Sequence, residues 1–513
     1  MMRDLMHISS FRCRSIAVFA GLCATALILI SASCGAQVFD MRWIGGYPDP
    51  SGDPHYGGNK TIFSPPQETT TILEPRDMRL STGIAVMTDE NDSIFAYTNG
   101  YTLANMANQP MLNGTGLNPT TYVGTTYGSY SANAQIFLPW PSEQDSFALI
   151  HMSPDTVNAG TILHSARLYF SVIAKYLDNG MAGVVSKNNV IIEEPLLVGG
   201  LSAVRHANGR DWWIFTHGID SDEFISFILT PYGFEGPFFQ AIGTTQVGGV
   251  PRASFSPSGD KLAYTGYDTG LDVFDFDRCT GILSNWQHAD ITDGSFTRSV
   301  QFSPDGSLVY VSSVNWVYQY PLPSGILGDP ETVATYDGFY DEYPILQTFF
   351  ANMGLAPDGR IYISTGNGTR YMHVIHEPDN AGVACGLIQH DHFRQTYTFN
   401  AIPYRPNYLL GPVDGTVCDS LGITANVSEA RLQDRVRVQP NPSNGVFGIN
   451  YPAHAQPGLL EVLDATGRFV YQHRLSAWST VHQVDLTGQP AGMYHCRLQW
   501  GNQSSSVRVI LQP

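Results

Sequence analysis

The chain has 513 residues, of which 50 are Gly and 32 are Pro, and only 14% of its residues are charged. Its formal net charge of −18 at pH 7 argues against a nucleic-acid partner. Many turn residues with few charges are typical of an extracellular β protein rather than a helical one.

A secretory signal peptide is predicted over residues 1–36. Three arginines precede an apolar run over residues 16–30, and small residues follow it. This order predicts cleavage before Gln37. Two alternatives are an uncleaved membrane anchor and a lipid attached to Cys34, although Ser31 stands where a lipoprotein signal usually has Leu. No later apolar run has the length of a membrane span.

A turn unit recurs through the middle of the chain. It is clearest at residues 302–312, where Ser-Pro-Asp-Gly separates two runs of β-branched and aromatic residues. Pro presets φ for a type I turn, and Gly takes the left-handed conformation that reverses the chain. Related units start at Phe255 and Leu355, and weaker copies start at Val86, Phe137 and Val204. A period of about fifty residues with several short strands per period predicts β-propeller blades.

We therefore predict one β-propeller over residues 37–420. Six units are visible, and the early and late segments are expected to share a further blade, so seven blades are favoured and six are the alternative. The prolines of residues 401–412 argue against a central strand there. The stretch between Ser131 and Leu201 exceeds the period, which predicts an insertion near Lys175 to Glu194.

Four cysteines remain once the signal peptide is removed. Export makes disulfides possible, and we expect Cys385 to pair with either Cys279 or Cys418. Cys496 lies in a strand-like run and is expected to be a small core residue.

A separate small β-sandwich is predicted over residues 436–513, after a linker at 421–435. Its turn motifs are Pro440-Asn441-Pro442-Ser443-Asn444-Gly445, Asp464-Ala465-Thr466-Gly467-Arg468, and Asp485-Leu486 followed by Pro490-Ala491-Gly492-Met493-Tyr494. In this order they resemble the type A C-terminal sorting domain of the type IX secretion system of Bacteroidetes. The resemblance implies that the outer-membrane translocon reads this domain as an address. It also implies a protein that is released or attached to the outer cell surface.

The propeller resembles a group of exported Bacteroidetes proteins with WD-like or YVTN-like repeats. The matching stretches include Tyr97-Thr98-Asn99-Gly100, His206 to Trp213, Asp275 to Gly281 and Pro406 to Pro412. This resemblance implies a fold but no particular activity.

Candidate chemical groups are few. His390 and His392 would share one face of a strand and could bind zinc, but no third ligand is recognisable nearby. Trp212 and Trp213 would point to opposite faces, where core packing is favoured over stacking on a sugar. The acidic turn at residues 89–92 is interpreted as a solvated hairpin tip rather than a calcium site. We assign no catalytic residue, cofactor or metal ligand from the sequence.

Two function classes follow. The favoured one is a secreted or cell-surface propeller that is not catalytic and whose blade loops bind a protein or glycan. The alternative is a propeller hydrolase of lactonase or glycosidase type, with its reacting groups around the central channel. Carboxylates or histidines that converge at one mouth of the channel would favour the hydrolase.

Overall fold

The structure is a computed structural model that describes residues 42–48, 52–63, 70–89, 93–119, 128–129, 131–143, 145–152, 155–157, 162–342, 345–419, 436–451, 457–475, 481–501 and 503–512. The predicted signal peptide and linker lie outside the described residues. Nearly all regular structure is strand. Within the described ranges, no helix has the length and hydropathy that a membrane crossing requires.

Seven successive blades make up the propeller in the described part of the chain, and the second and third join into one eight-stranded sheet through a parallel bridge between Leu112 and Gly183. The first has three strands: β1 (Arg42–Tyr47), β2 (Gly57–Ile62) and β3 (Thr70–Leu73). The second contains β4 (Ala85–Thr88), β5 (Ile94–Thr98), β6 (Thr102–Asn105) and β7 (Pro110–Thr115). The third contains β8 (Gln135–Pro139), β9 (Ser146–Met152), β12 (Leu168–Ala174) and β13 (Gly183–Ile192), with the hairpin β10 (Asp155–Val157) and β11 (Ile162–His164) between its second and third strands.

The remaining four sheets each have four strands in chain order. The fourth contains β14 (Ser202–Arg205), β15 (Trp212–His217), β16 (Ser221–Thr230) and β17 (Gly233–Gln246), and the fifth contains β18 (Arg252–Phe255), β19 (Lys261–Thr265), β20 (Leu271–Asp277) and β21 (Ile282–Ala289). The sixth contains β22 (Thr297–Phe302), β23 (Leu308–Ser313), β24 (Trp316–Pro321) and β25 (Glu331–Thr335). A hairpin of β26 (Tyr340–Glu342) and β27 (Ile345–Gln347) precedes the seventh, which contains β28 (Phe350–Leu355), β29 (Ile361–Thr365), β30 (Thr369–Ile375) and β31 (Leu387–Thr398).

The first strand of each sheet lies innermost, and neighbouring sheets bury their apolar faces against each other. For example, β18 packs beside β14 and β22, and β22 packs beside β28. The ring closes at β1, where Trp43 shares a core cluster with Tyr362 of the seventh sheet and Ile44 shares one with Val86 of the second. The predicted propeller is confirmed, with the favoured number of blades.

The recurring turn reverses the chain between two strands, as predicted, and these are the first and second strands of a blade. At the clearest copy, the Ser303 backbone N–H donates to the Leu308 carbonyl over 2.8 Å, and the Gly306 N–H donates to the Ser303 carbonyl over 3.0 Å. Gly306 has φ +75°, and Gly259 and Gly359 have φ +76° and +83° in their copies. Only glycine adopts this conformation without steric cost, which explains the repeated Gly.

Two expectations about the propeller are wrong. Half of the stretch from Lys175 to Glu194 is β13, a blade strand, and the extra length lies in the β10–β11 hairpin instead. The early and late segments do not share a blade, because β1–β3 come from the early segment alone and residues 401–419 contain no strand. The prolines in that segment have no N–H to donate to a sheet, so the chain takes another course.

The C-terminal residues form the predicted sandwich. One sheet pairs β32 (Arg437–Gln439), β33 (Val446–Asn450) and β36 (Val481–Asp485), and the other has the order β35 (Phe469–Leu475), β34 (Gly458–Leu463), β37 (Gly492–Trp500) and β38 (Gln503–Leu511). Side chains from both sheets, such as Phe447 and Leu460, share one apolar core. Cys496 lies in this core, and burial raises the pKa of its thiol to about 12. The prediction of a core cysteine is confirmed.

Candidate functional site: a filled channel and a C-terminal sandwich

The propeller's own chain fills its central channel. Residues 400–410, which we call the channel segment, leave β31 and run along the innermost strands. At one end, Asn352 of β28 donates from Nδ2 to the Asn400 carbonyl over 2.9 Å. At the other end, Asn407 donates from Nδ2 to the Pro257 carbonyl, just beyond β18, over 2.8 Å. The segment therefore passes from the side where the innermost strands begin to the side where they end.

Tyr408 anchors the segment through several contacts. Its hydroxyl donates to the Phe137 carbonyl of β8 over 2.8 Å, and its own carbonyl accepts from Arg205 Nη2 over 2.9 Å. Its ring meets Trp212 edge to face, with centroids 5.7 Å apart. Because these partners come from the third and fourth blades, the segment links blades across the ring.

The next anchor is a close approach between Leu410 and a repeat turn. A Cβ on Gly259 would lie 2.8 Å from Leu410 Cδ1 and 2.8 Å from Val204 Cγ2. Glycine at this turn therefore serves two purposes: it permits positive φ, and it leaves room for the channel segment.

Little space remains inside the channel. The cavity there has a volume of about 50 Å³, room for a few water molecules at most. Its ionisable lining residues within the described ranges are Arg252, Tyr404 and Arg405, with no Asp, Glu or His. Burial raises the pKa of Tyr404. The lining therefore contains cationic and neutral groups but no carboxylate or imidazole for acid–base chemistry.

A disulfide fixes the chain where it leaves the channel. Cys279, after β20, pairs with Cys418, and their Cα atoms are 5.7 Å apart. The Val413 N–H donates to the Ala207 carbonyl over 2.8 Å, which directs the chain across the fourth blade toward Cys279. The expected pairing through Cys385 is wrong, because that thiol is buried in the core between the sixth and seventh blades.

The two predicted zinc candidates do not converge. His390 has φ +55°, which breaks the alternation that would have placed it on one face with His392. His392 Nε2 lies 2.8 Å from Thr71 Oγ1, whereas His390 Nε2 lies 3.5 Å from Asp337 Oδ1. Burial lowers the pKa of His392 to about 4. Across the described residues, no group of three or more His, Cys, Asp or Glu side chains is arranged to hold a metal.

Both adjacent tryptophans are buried on opposite faces of β15. Trp212 lies beneath the Arg205 guanidinium, 4.0 Å from the ring centroid, and Trp213 donates from Nε1 to the Arg278 carbonyl over 2.9 Å. Packing therefore accounts for both rings. In the predicted acidic turn, residues 90–92 lie outside the described part of the chain.

The first sandwich motif is attached to the last strand. Asn441 accepts at Oδ1 from the Ile510 N–H over 3.0 Å and donates from Nδ2 to the Arg508 carbonyl over 2.9 Å. The Ser443 N–H donates to the Ile510 carbonyl over 2.8 Å. The motif thus ties the start of the sandwich to β38, while Pro440, Pro442 and Asn444 complete the same loop.

The first and third motifs meet, because the Leu486 N–H donates to the Gly445 carbonyl over 2.8 Å. In the third motif, the Asp485 carboxylate accepts from the Thr487 N–H over 2.8 Å. The Tyr494 hydroxyl donates to the Pro490 carbonyl over 2.7 Å, and Gly492 lies at the start of β37.

The second motif is a self-contained turn. Asp464 Oδ1 accepts from the backbone N–H groups of Thr466 and Arg468 over 2.9 and 3.0 Å, and Arg468 Nε donates to Asp464 Oδ2 over 3.1 Å. These hydrogen bonds, led by the one from the Thr466 hydroxyl, lower the pKa of Asp464 to about 2. Gly467 supplies positive φ, +85°. The motif residues therefore build turns, and the structure assigns them no chemical role.

The sequence did not predict that the channel segment fills the centre of the propeller. Its signals were the prolines 403 and 406 beside Tyr404 and Tyr408, a combination that excludes a strand but supplies large aromatic side chains. A propeller prediction combined with that composition could have suggested a filled channel.

Comparison with known proteins identifies the sandwich. Residues 437–512 match the family described as secretion system C-terminal sorting domain. No curated protein matches the chain. Among solved structures, the periplasmic gluconolactonase PpgL of Pseudomonas aeruginosa is 13% identical, with a TM-score of 0.40 over 70% of this chain and 97% of that one. The β-propeller domain of Cps50 (Swd1) from Myceliophteria thermophila is 10% identical, with a TM-score of 0.35 over 66% of this chain and 95% of that one.

These structural likenesses concern the fold alone. The family match agrees with the three turn motifs, whose residues form the turns of the sandwich. The chain therefore carries the C-terminal sorting domain of a Bacteroidetes type IX secretion system, and it is a propeller protein exported to the medium or the outer cell surface.

Proposed function

We propose that the exported propeller is a binding module without catalytic activity, and that its blade loops bind a glycan or a protein outside the cell. The observation that carries this proposal is the filled channel. Residues 400–410 occupy the place where a propeller hydrolase would hold its substrate, and the remaining cavity is about 50 Å³. Small-molecule sites usually measure roughly 300–1,000 Å³.

A substrate could enter the channel only by displacing the channel segment. Hydrogen bonds from Asn352, Asn407 and Tyr408 hold the segment at both ends, and the Cys279–Cys418 disulfide holds the chain that follows. Displacement would expose those buried polar groups together with apolar side chains, at a cost of several hydrogen bonds. The accessible surfaces are the loops at the two faces of the ring, where binding residues are commonly found.

The test is a binding screen paired with a turnover assay on the same purified protein, with its sandwich retained. Glycan arrays and surface proteins of neighbouring cells serve as probes, and lactones and glycosides serve as substrates. We expect saturable binding of at least one probe and no turnover above that of heat-denatured protein. Turnover of a lactone or glycoside above that of the heat-denatured protein would establish the hydrolase alternative instead.

A further inference from the structure

Two guanidinium groups lie together at the channel entrance, on the side where the innermost strands begin. Arg252 is the first residue of β18, and Arg298 is the second residue of β22 in the next blade. Burial, and then the charge of Arg298, lower the pKa of Arg252 to about 10. Because β18 and β22 pack beside each other, the two like charges lie on neighbouring innermost strands.

Only neutral acceptors hold Arg252. Its Nε donates to Asn352 Oδ1 over 3.2 Å, across the channel, and its Nη1 donates to the carbonyls of Val250 and Pro251 over 2.9 and 3.0 Å. Arg298 Nε is buried with no hydrogen-bond acceptor among the described residues. Within those residues, no carboxylate lies at ion-pair distance from either guanidinium, although the whole chain is strongly acidic. A desolvated cation without a counterion is costly, so this pair favours an anion.

Aromatic rings border the same entrance. Tyr267 and Phe296 stack with their centroids 4.1 Å apart, and the Phe296 side chain is 40% exposed. The Arg298 guanidinium lies over Phe349, 5.9 Å from the ring centroid. The charge of Arg298 also lowers the pKa of Tyr267, against the larger effect of burial, which raises it. Charge and exposed aromatic surface are thus adjacent.

Two glycines lie against Tyr267 and Phe349. A Cβ on Gly249, where φ is +86°, would lie 2.5 Å from Tyr267 Cβ, and a Cβ on Gly366 would overlap the Phe349 ring. Because Tyr267 and Phe349 pack directly on glycine backbone, these two side chains are positioned before any ligand arrives. A preformed surface spends less binding free energy on ordering side chains.

We propose that this entrance binds an acidic saccharide, whose carboxylate or sulfate group pairs with Arg298 and Arg252 while a sugar ring packs on Phe296. The proposal rests on the binding function proposed above and names its ligand class. The planar guanidinium donates two parallel hydrogen bonds to an oxyanion. A neutral sugar has no anionic group to accept this pair of hydrogen bonds. Two carboxylates lie near the entrance: the exposed Asp268, whose charge reaches Tyr267, and Asp293, which accepts hydrogen bonds from the Ser295 N–H and the Tyr318 hydroxyl.

Calorimetric titration of the purified protein, with its sandwich retained, tests this assignment. The probes are an oligogalacturonate, a sulfated chondroitin oligosaccharide and a neutral cello-oligosaccharide of matched length. We expect at least one acidic probe to bind, and its identity distinguishes carboxylate from sulfate. Arg298→Gln should weaken that binding about tenfold or more, as the loss of a charge-assisted hydrogen bond predicts. Phe296→Ala should weaken it as well.

The matched control is Arg167→Gln, which removes the same charge from an exposed arginine paired with Glu193 in the third blade. This control should bind like the native protein, and circular dichroism establishes that each variant is folded. Arg298→Lys should recover only part of the affinity, since it restores the charge without the planar fork.

Three results would overturn the assignment: neither acidic probe binds, the neutral probe binds as tightly as the acidic one, or Arg298→Gln and the control Arg167→Gln weaken binding equally. If the screen finds a different ligand whose affinity does not depend on Arg298, the proposed binding function stands. The channel entrance is then excluded as the binding site.

Discussion

Removing the Cys279–Cys418 disulfide should lower the propeller's free energy of unfolding by several kcal/mol. The two cysteines are 139 residues apart. The loss of chain entropy in the unfolded state gives a stabilisation of about 5 kcal/mol at 25 °C for a loop of that length. Strain in the native state and residual structure in the unfolded chain reduce this value, so we expect a loss of about 2–4 kcal/mol. The closed loop contains the sixth and seventh blades and the channel segment, so the constraint acts on the part of the ring that closes last along the chain.

The assay is urea unfolding of the native protein and the double variant Cys279→Ser/Cys418→Ser, each with and without reductant. The double variant should unfold at a lower urea concentration, and reductant should shift the native protein to that midpoint without moving the variant. Cys385→Ser, at the buried free thiol, is the matched control and should keep the native response to reductant. Equal midpoints for the oxidised native protein and the double variant would refute the reasoning.

Three further predictions concern the sandwich. Deleting residues 436–513 should leave the protein in the periplasm by cell fractionation, and a reporter that carries the sandwich yet stays periplasmic would contradict the sorting role. In thermal unfolding, Gly445→Val should destabilise the sandwich by about 2 kcal/mol or more, because φ is +117° and the new Cβ would lie 3.1 Å from the Thr487 Cα. Gly467→Asn, at a turn with open space around the new Cβ, should destabilise it by less than about 1 kcal/mol. Burial, and then the charge of His473, lower the pKa of His482 to about 3. The unfolded chain takes up this proton near pH 6.5, so the free energy of unfolding should fall from about pH 6.5 toward 3, and His482→Gln should reduce that slope.

The blades were predictable because their signals are local. Ser-Pro-Asp-Gly specifies a turn through the φ preferences of its own residues, and Gly306 adopts the conformation that the pattern requires. The second sandwich motif is local in the same sense, since Asp464 and Gly467 form a turn from contacts among near neighbours. Such features depend little on the rest of the fold.

The channel segment and the disulfide were not predictable because they depend on distant partners. The prolines of residues 401–412 exclude a strand but do not specify where the chain goes. Its course depends on acceptors such as the carbonyls of Phe137 and Pro257, which only the closed ring brings together. The pairing of Cys418 with Cys279 follows from that course. The prediction that His390 and His392 share one face of a strand was wrong because an irregularity in β31 gives His390 positive φ.

The two ends of the propeller are joined through its centre rather than within one blade. Trp43 of the first blade shares a core cluster with Ile402 of the channel segment, and Ile44 shares another with Ala401. A ring closed by strand exchange needs both chain ends in one sheet and can leave its channel open. Here the residues that fill the channel also contribute to the closure of the ring, so emptying the channel for a substrate would remove those contacts. A ligand is therefore expected at the entrance, where Arg298 remains without a counterion among the described residues.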